Sequence, residues 1–287
     1  MKSVEKRRMC PNCRAIISIT DRVCPECGVQ LGPRAVDLRA SQFAASFMPR
    51  ANLTSAIILT INVAFFLAEI VISYNLTHST QVSPAAMILL GAKEGPLIDA
   101  GQHWRLITAG FLHGGIVHIA MNSWALFVLV TEVEQFYGTS RLLVAYVFST
   151  FTGFLFSYLR SPALSLGASA ACFGLFGIML AMGLRQRSDP LVQAVRAHYG
   201  QWLIFGLLMS FFPGIDMSAH IGGFIGGLLV GLIGGLPGLP NSPRETLWKV
   251  LAGIAVAVVL YCWVQDFRAY SVLIRSFTEQ HLTQPQR

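Results

Sequence analysis

Seven apolar runs dominate this chain, and few folds can accommodate them. They lie at about 54–74, 106–130, 142–159, 166–184, 201–215, 218–236 and 247–265. Most approach the ~20 residues that carry a helix across ~30 Å of hydrocarbon; 201–215 is the short one. A soluble core has no use for seven such segments. Composition agrees, since only 12% of the 287 residues are charged, roughly half the ~25% of a soluble domain. The expected fold class is an all-α polytopic membrane protein. Its weakest division is PGIDMSAH, 213–220, where a re-entrant turn is the alternative to two separate spans. The first long apolar run begins near Ser55, too late for a secretory signal, so insertion without cleavage is expected.

Charge sets an expected orientation. Nine of the 21 Lys and Arg precede residue 51. Before a first membrane helix, such a cluster reads as a cytoplasmic flank rather than a nucleic-acid site. With the N-terminus inside, the inner loops carry Arg141, Arg185, Arg187, Arg196, Arg244 and Lys249, and the outer loops Lys93, Arg105 and Arg160. Seven spans then leave Arg268, Arg275 and Arg287 outside, against the rule. The stretch from about 75 to 105 is long for a connection, and its apolar patch at 84–90 predicts a loop folded onto the membrane surface.

Residues 10–28 read CPNCRAIISITDRVCPECG. Cys10, Cys13, Cys24 and Cys27 form two C-x-x-C pairs, each closed by a Pro and spaced to put four thiolates on one tetrahedral zinc. Two disulfides are the competing arrangement, disfavoured on a reducing cytoplasmic side. Four thiolates leave no open coordination position, so the expected zinc is structural. The ribbon has almost no core and is expected to fold only with its metal. It resembles the small zinc ribbons appended to many bacterial membrane proteins. Cys172 and Cys262 lie in apolar runs and read as packing residues.

Polar groups at membrane depth are candidates for function. Here they are Glu69 in the first run, His113, His118 and Asn122 in the second, Ser169 heading the fourth and His220 heading the sixth. His118 and Asn122 are i and i+4 and share a helix face. His113, five residues before His118, falls on a neighbouring face or in the turn that leads in. Three chemistries compete. Metal or haem ligation by His113, His118 and His220 has no carboxylate nearby in sequence to complete a hard site. Transport calls for midplane groups and internal repeats, which are absent from the sequence. Nucleophilic catalysis by Ser169, activated by His220, leaves His118 and Asn122 as donors to an oxyanion. The second, fourth and sixth runs cross in one direction, which brings all four residues to similar depth. No aspartate in these runs is placed to orient His220, so a dyad is expected rather than a triad. Small residues on both helices, Gly167, Ala168 and Ala170 on one and Gly222, Gly223 and Gly226 on the other, permit the close approach that a Ser–His contact needs.

With these residues in view, the chain resembles the rhomboid family of intramembrane serine proteases over about 54–236. The resemblance rests on His113-Gly-Gly-Ile-Val-His118-Ile-Ala-Met-Asn122, Gly167-Ala168-Ser169 and Ala219-His220-Ile221-Gly222-Gly223. Trp104-Arg105 and the stretch from Glu134 to Gly138 are also similar. It implies a six-helix core followed by a seventh helix, with Ser169 as nucleophile and His220 as base. It further implies His118, Asn122 and the Ser169 N–H as oxyanion donors, Phe173 packed on the imidazole, and a surface-lying first loop. One position departs from the pattern: the usual G-x-S-G has Ala170 in place of its last Gly.

The expected organisation is therefore a zinc ribbon at 1–35, a basic linker at 36–53, a six-helix protease core at 54–236, and a further helix with its tail at 237–287. The expected activity is endopeptidase cleavage of single-span membrane proteins, with structural zinc and no catalytic cofactor. Expected partners are the lipid bilayer and an unidentified cytoplasmic partner of the ribbon, and no nucleic acid. The expected location is a bacterial inner membrane, N-terminus in the cytoplasm. The rival expectation is a catalytically inactive rhomboid-like protein that binds or escorts membrane proteins.

Overall fold

The computed structural model describes residues 7–10, 12–18, 21–31, 52–186, 190–239 and 242–282, with backbone alone at 7–8, 190–191 and 272–282. Most of the expected linker, up to residue 51, lies outside the described residues. The chain divides into two units, 1–49 and 50–287.

In the first unit, strand β1 (Arg7–Met9) pairs antiparallel with β2 (Ile16–Ser18), Arg7 opposite Ser18. The two C-x-x-C turns are built alike. Cys10 N–H donates to the Ala15 carbonyl and Cys24 N–H to that of Val29. Arg14 N–H and Gly28 N–H return to the carbonyls of Cys10 and Cys24. Arg14 and Gly28, each just after the second cysteine of its pair, both adopt left-handed backbone, φ 61 and 66. The small core consists of Cys10, Ile17, Cys24 and Leu31.

The second unit is a helix bundle. Helix α1 (Leu53–Thr77) is followed by α2 (Pro84–Leu89), α3 (Gly95–Asp99), α4 (Arg105–Thr108) and a 3-10 turn at Ala109–Phe111. Then come α5 (Ile116–Arg160), α6 (Ser169–Arg185), α7 (Pro190–Met209), α8 (Met217–Gly234) and α9 (Pro243–Leu282). Among the described residues, α1, α5, α8 and the 243–271 part of α9 are long and apolar enough to cross a membrane, and α6 is a shorter apolar helix. The 45-residue α5 is two helices joined at Gly138, whose φ of 74 and ψ of 161 are not helical. The chain turns back there. Gly167, just before α6, packs close to His118 from the first half of α5, and Ala170 packs close to Gly153 from the second. Glu134 closes this turn by accepting from Asn52, Thr54 and Thr139 at 3.1, 2.7 and 2.6 Å. Counting α5 twice, seven longer helices among the described residues make an all-α membrane bundle.

Two boundaries differ from the sequence expectation, each for a local reason. The second run was placed at 106–130, but its helix starts at Ile116. Residues 105–111 form short turns, and Leu112 is extended (ψ 155), so His113 sits in the turn before the helix. The fifth run was placed at 201–215, but α7 occupies 190–209. Its first turns are polar on one side, which hid them from an apolar count, and Pro213-Gly214 lies outside it.

Glycine sets how closely α6 and α8 pack. A Cβ on Gly223 would fall 2.1 Å from the Ala170 carbonyl oxygen, and one on Gly227 1.8 Å from that of Gly174. No side chain fits at either position, so two backbones touch there. Helix α9 runs the length of the bundle. Near its start Glu245 takes a bidentate pair from Arg141 at 2.7 Å, beneath Trp248. Farther along, Asp266 accepts from the Trp104 indole at 3.2 Å.

Candidate active site

Ser169 is the first residue of α6. Seventeen residues make a helix of about 26 Å, short of ~30 Å of hydrocarbon. The chain leading to Ser169 is not helical, and in lipid each of its backbone groups would need a protein partner or water. The segment after α1 provides the partners. Lys93 and Ser165 exchange N–H···O bonds at 3.0 Å both ways, Gly95 N–H donates to Pro162, and Gly167 N–H donates to Ala109. The fully buried Lys93 ammonium donates to the carbonyls of Ser161 and Ala163 at 2.6 and 2.8 Å. Burial lowers the Lys93 pKa from its ordinary value, and the nearby Asp216 carboxylate works against that. Sequence reasoning counted Lys93 only as an outer-loop charge and missed this role.

His220 lies in the first turn of α8, with Asp216 at the N-cap accepting from Ala219 N–H at 3.1 Å. Ser157 also hydrogen-bonds to Asp216. Burial raises the Asp216 pKa, but Ser157, Ser165, the Ala219 N–H and the Lys93 charge outweigh it and hold the carboxyl below its ordinary value. The His220 Nε2 is 2.8 Å from Ser169 Oγ, and the imidazole stacks on Phe173 at 4.1 Å and 13°. Its Nδ1 lies 2.6 Å from Ser210 Oγ, a contact with no signal in the sequence pattern.

The first half of α5 supplies His118 and Asn122. Gly114 N–H donates to His118 Nδ1 at 3.3 Å, which leaves the ring proton on Nε2. That nitrogen faces the turn before Ser169. A Cβ on Gly167 would fall 2.7 Å from His118 Nε2, and Gly167 has φ +128, so glycine is required there on both counts. Asn122 Nδ2 donates to the His118 carbonyl at 3.1 Å and keeps a second hydrogen. His113 stands behind His118 with rings 5.1 Å apart, and its backbone N–H donates to Glu69 at 2.9 Å. Gly222 and Gly223 face α5 and α6 rather than the cavity.

Ser169, His220, His118, Asn122 and Phe173 thus line one open cavity of about 830 Å³ between α5, α6 and α7. It joins a hydroxyl hydrogen-bonded to an imidazole, two side-chain N–H donors, and a helix N-terminus with unsatisfied backbone N–H groups. Ala170, the departure from the family pattern, is buried, and its methyl lies over Gly153.

In the first unit, the four cysteine sulfurs lie within 4.8 Å of one another. The contacts between pairs are 3.8 Å for Cys10–Cys27 and 3.6 Å for Cys13–Cys24. A disulfide needs ~2.05 Å, whereas four thiolates at ~2.3 Å from one zinc form a tetrahedron with edges of about 3.8 Å. The N–H of Val29 and the Asn12 side chain lower the Cys27 thiol to about 6. The cluster has the shape of a metal site.

Comparison with known proteins gives the family. The Rhomboid domain profile matches residues 100–236. Rhomboid protease GluP of Bacillus subtilis (strain 168) is 35% identical over 217 residues, 75% of this chain and 41% of that protein. Putative rhomboid protease YdcA of the same organism is 38% identical, over 45% of this chain and 66% of that protein. RHOMBOID-like protein 5 of Arabidopsis thaliana is 34% identical, over 50% of this chain and 47% of that protein. The matches thus cover between 41% and 66% of these relatives' lengths. By its domain, its relatives and its helix bundle, this chain is an integral membrane protein of the rhomboid family.

Proposed function

We propose that this protein is an intramembrane serine endopeptidase in which Ser169 and His220 form a catalytic dyad. The observation that carries the reading is the 2.8 Å contact between Ser169 Oγ and His220 Nε2 at the wall of an open cavity. His220 Nε2 takes the Ser169 proton as Oγ attacks a peptide carbonyl. The resulting oxyanion receives the His118 Nε2–H, the free Asn122 Nδ2–H and the Ser169 backbone N–H. His220 then protonates the leaving amine, and water hydrolyses the acyl-enzyme by the same base. The substrate is a single-span membrane protein, because the cavity is walled by apolar helices. It must unwind locally, because a hydrogen-bonded helix hides its carbonyls. The fall of Lys and Arg along the chain supports an N-terminus on the cytoplasmic side, and the two Bacillus subtilis relatives support a bacterial cell membrane. On that side the four cysteines hold a structural zinc, which makes the ribbon at 1–35 a docking or regulatory module separate from the core at 54–236.

The test is cleavage of a single-span protein in proteoliposomes. Wild type is expected to cut it, and Ser169→Ala and His220→Ala not to. Folded wild-type protein that cuts no single-span protein would favour the inactive, helix-escorting alternative.

A further inference from the structure

We infer that Ser210 is the positioning residue of His220, making a Ser–His–Ser relay of what the sequence shows only as a dyad. The inference rests on the protease reading above. Ser210 follows the last residue of α7 and is buried, 3% exposed. Its hydroxyl has two neighbours, the Gly206 carbonyl at 2.8 Å and His220 Nδ1 at 2.6 Å. A hydroxyl has one proton to donate, and a carbonyl can only accept. The proton therefore points to Gly206, and a lone pair on Oγ accepts from Nδ1–H. That fixes the imidazole tautomer: Nδ1 carries the proton, and Nε2 presents its lone pair to Ser169 Oγ 2.8 Å away. The opposite tautomer would leave Ser169 without a base.

Two features suit the α7 terminus to this task. The Gly206 carbonyl belongs to the last turn of α7, where the helix dipole is negative and favours a nearby cation. The imidazolium that forms when His220 takes the Ser169 proton is such a cation. Gly206 also lets α7 approach the imidazole stack, since a Cβ there would fall 2.9 Å from Phe173 Cζ. One glycine thus accepts the Ser210 hydrogen bond and makes room for the ring that packs on His220. Serine at the end of a helix often bonds back four residues for purely local reasons. What goes beyond that here is the second bond, to the imidazole of another helix.

The experiment uses the full chain in lipid nanodiscs. Ser210→Ala is expected to lower kcat about tenfold, the rate equivalent of one hydrogen bond, with KM within twofold. Ser210→Thr, which keeps the hydroxyl, is expected to recover kcat to within about threefold. In parallel, 15N spectra of the His220 ring are expected to show a single Nδ1–H tautomer in wild type and a mixture in Ser210→Ala. The inference is overturned if Ser210→Ala keeps its kcat or the single tautomer, or if folded Ser210→Thr fails to recover. If wild type itself cuts nothing, the protease reading fails, and the ring spectra still decide the role of Ser210.

Discussion

At the scale of single residues, the site depends on what is absent as much as on what is present. Gly167 has no side chain because both its φ and the His118 ring forbid one. Gly167→Ala is expected to cost about 1–3 kcal/mol through backbone strain and to displace His118. A lower melting temperature together with a large loss of activity would show this. His118→Ala removes a proposed oxyanion donor and is expected to lower kcat about 100-fold with little change in melting. Ala170 has a definite place: its methyl covers the glycine at 153. Gly153→Ala should destabilise the bundle by crowding that methyl and the Ala219 carbonyl, which its Cβ would approach to 2.7 Å each. Ala170→Gly should restore part of the loss, seen as a coupling of roughly 0.5–2 kcal/mol in a double-mutant cycle. That Ser169, His220, His118 and Asn122 meet in one cavity was legible in the sequence, because runs crossing in one direction place them at the same end of the bundle. Ser210 and Lys93 were not legible. A serine ten residues from a histidine has no pattern, and nothing local tells a buried lysine from an exposed one.

At the scale of elements, the segment between α1 and α5 acts as a frame for the chain that enters α6. Lys93→Met removes two charge-assisted hydrogen bonds, to the Ser161 and Ala163 carbonyls, and is expected to cost about 2 kcal/mol. Thermal unfolding in nanodiscs measures it. Asp216, at the start of α8, gives a prediction in pH. Its folded pKa lies below the ordinary value, so its stabilisation is complete above the ordinary aspartate range near 4. It is lost as pH falls through the lowered value. The melting temperatures of wild type and Asp216→Asn should therefore differ most at neutral pH and converge in acid. The sequence placed the helices but misplaced two starts. Short turns at 105–111 are apolar enough to look like the helix that follows, and the polar first turns of α7 look like loop.

At the scale of the whole molecule, a membrane bundle and a cysteine ribbon are two units with separate requirements. Among the described residues the ribbon has a four-residue core, too little to fold without a further tie. Metal analysis should find about one zinc per chain, and chelation should expose residues 7–31 to protease while the bundle melts unchanged. The bundle rests on glycine contacts between α6 and α8, where small residues in register let two helix backbones touch and bring Ser169 and His220 within hydrogen-bond distance. The sequence carried this because helix packing in lipid is written in small residues. The proposed role of Ser169 as nucleophile is the centre of the account, and one measurement tests it most directly. The full chain in nanodiscs is treated with a fluorophosphonate, and the adduct is mapped by peptide mass spectrometry. The account predicts an adduct on Ser169 that disappears in His220→Ala. An adduct on another residue, or none on folded wild-type protein, would contradict it.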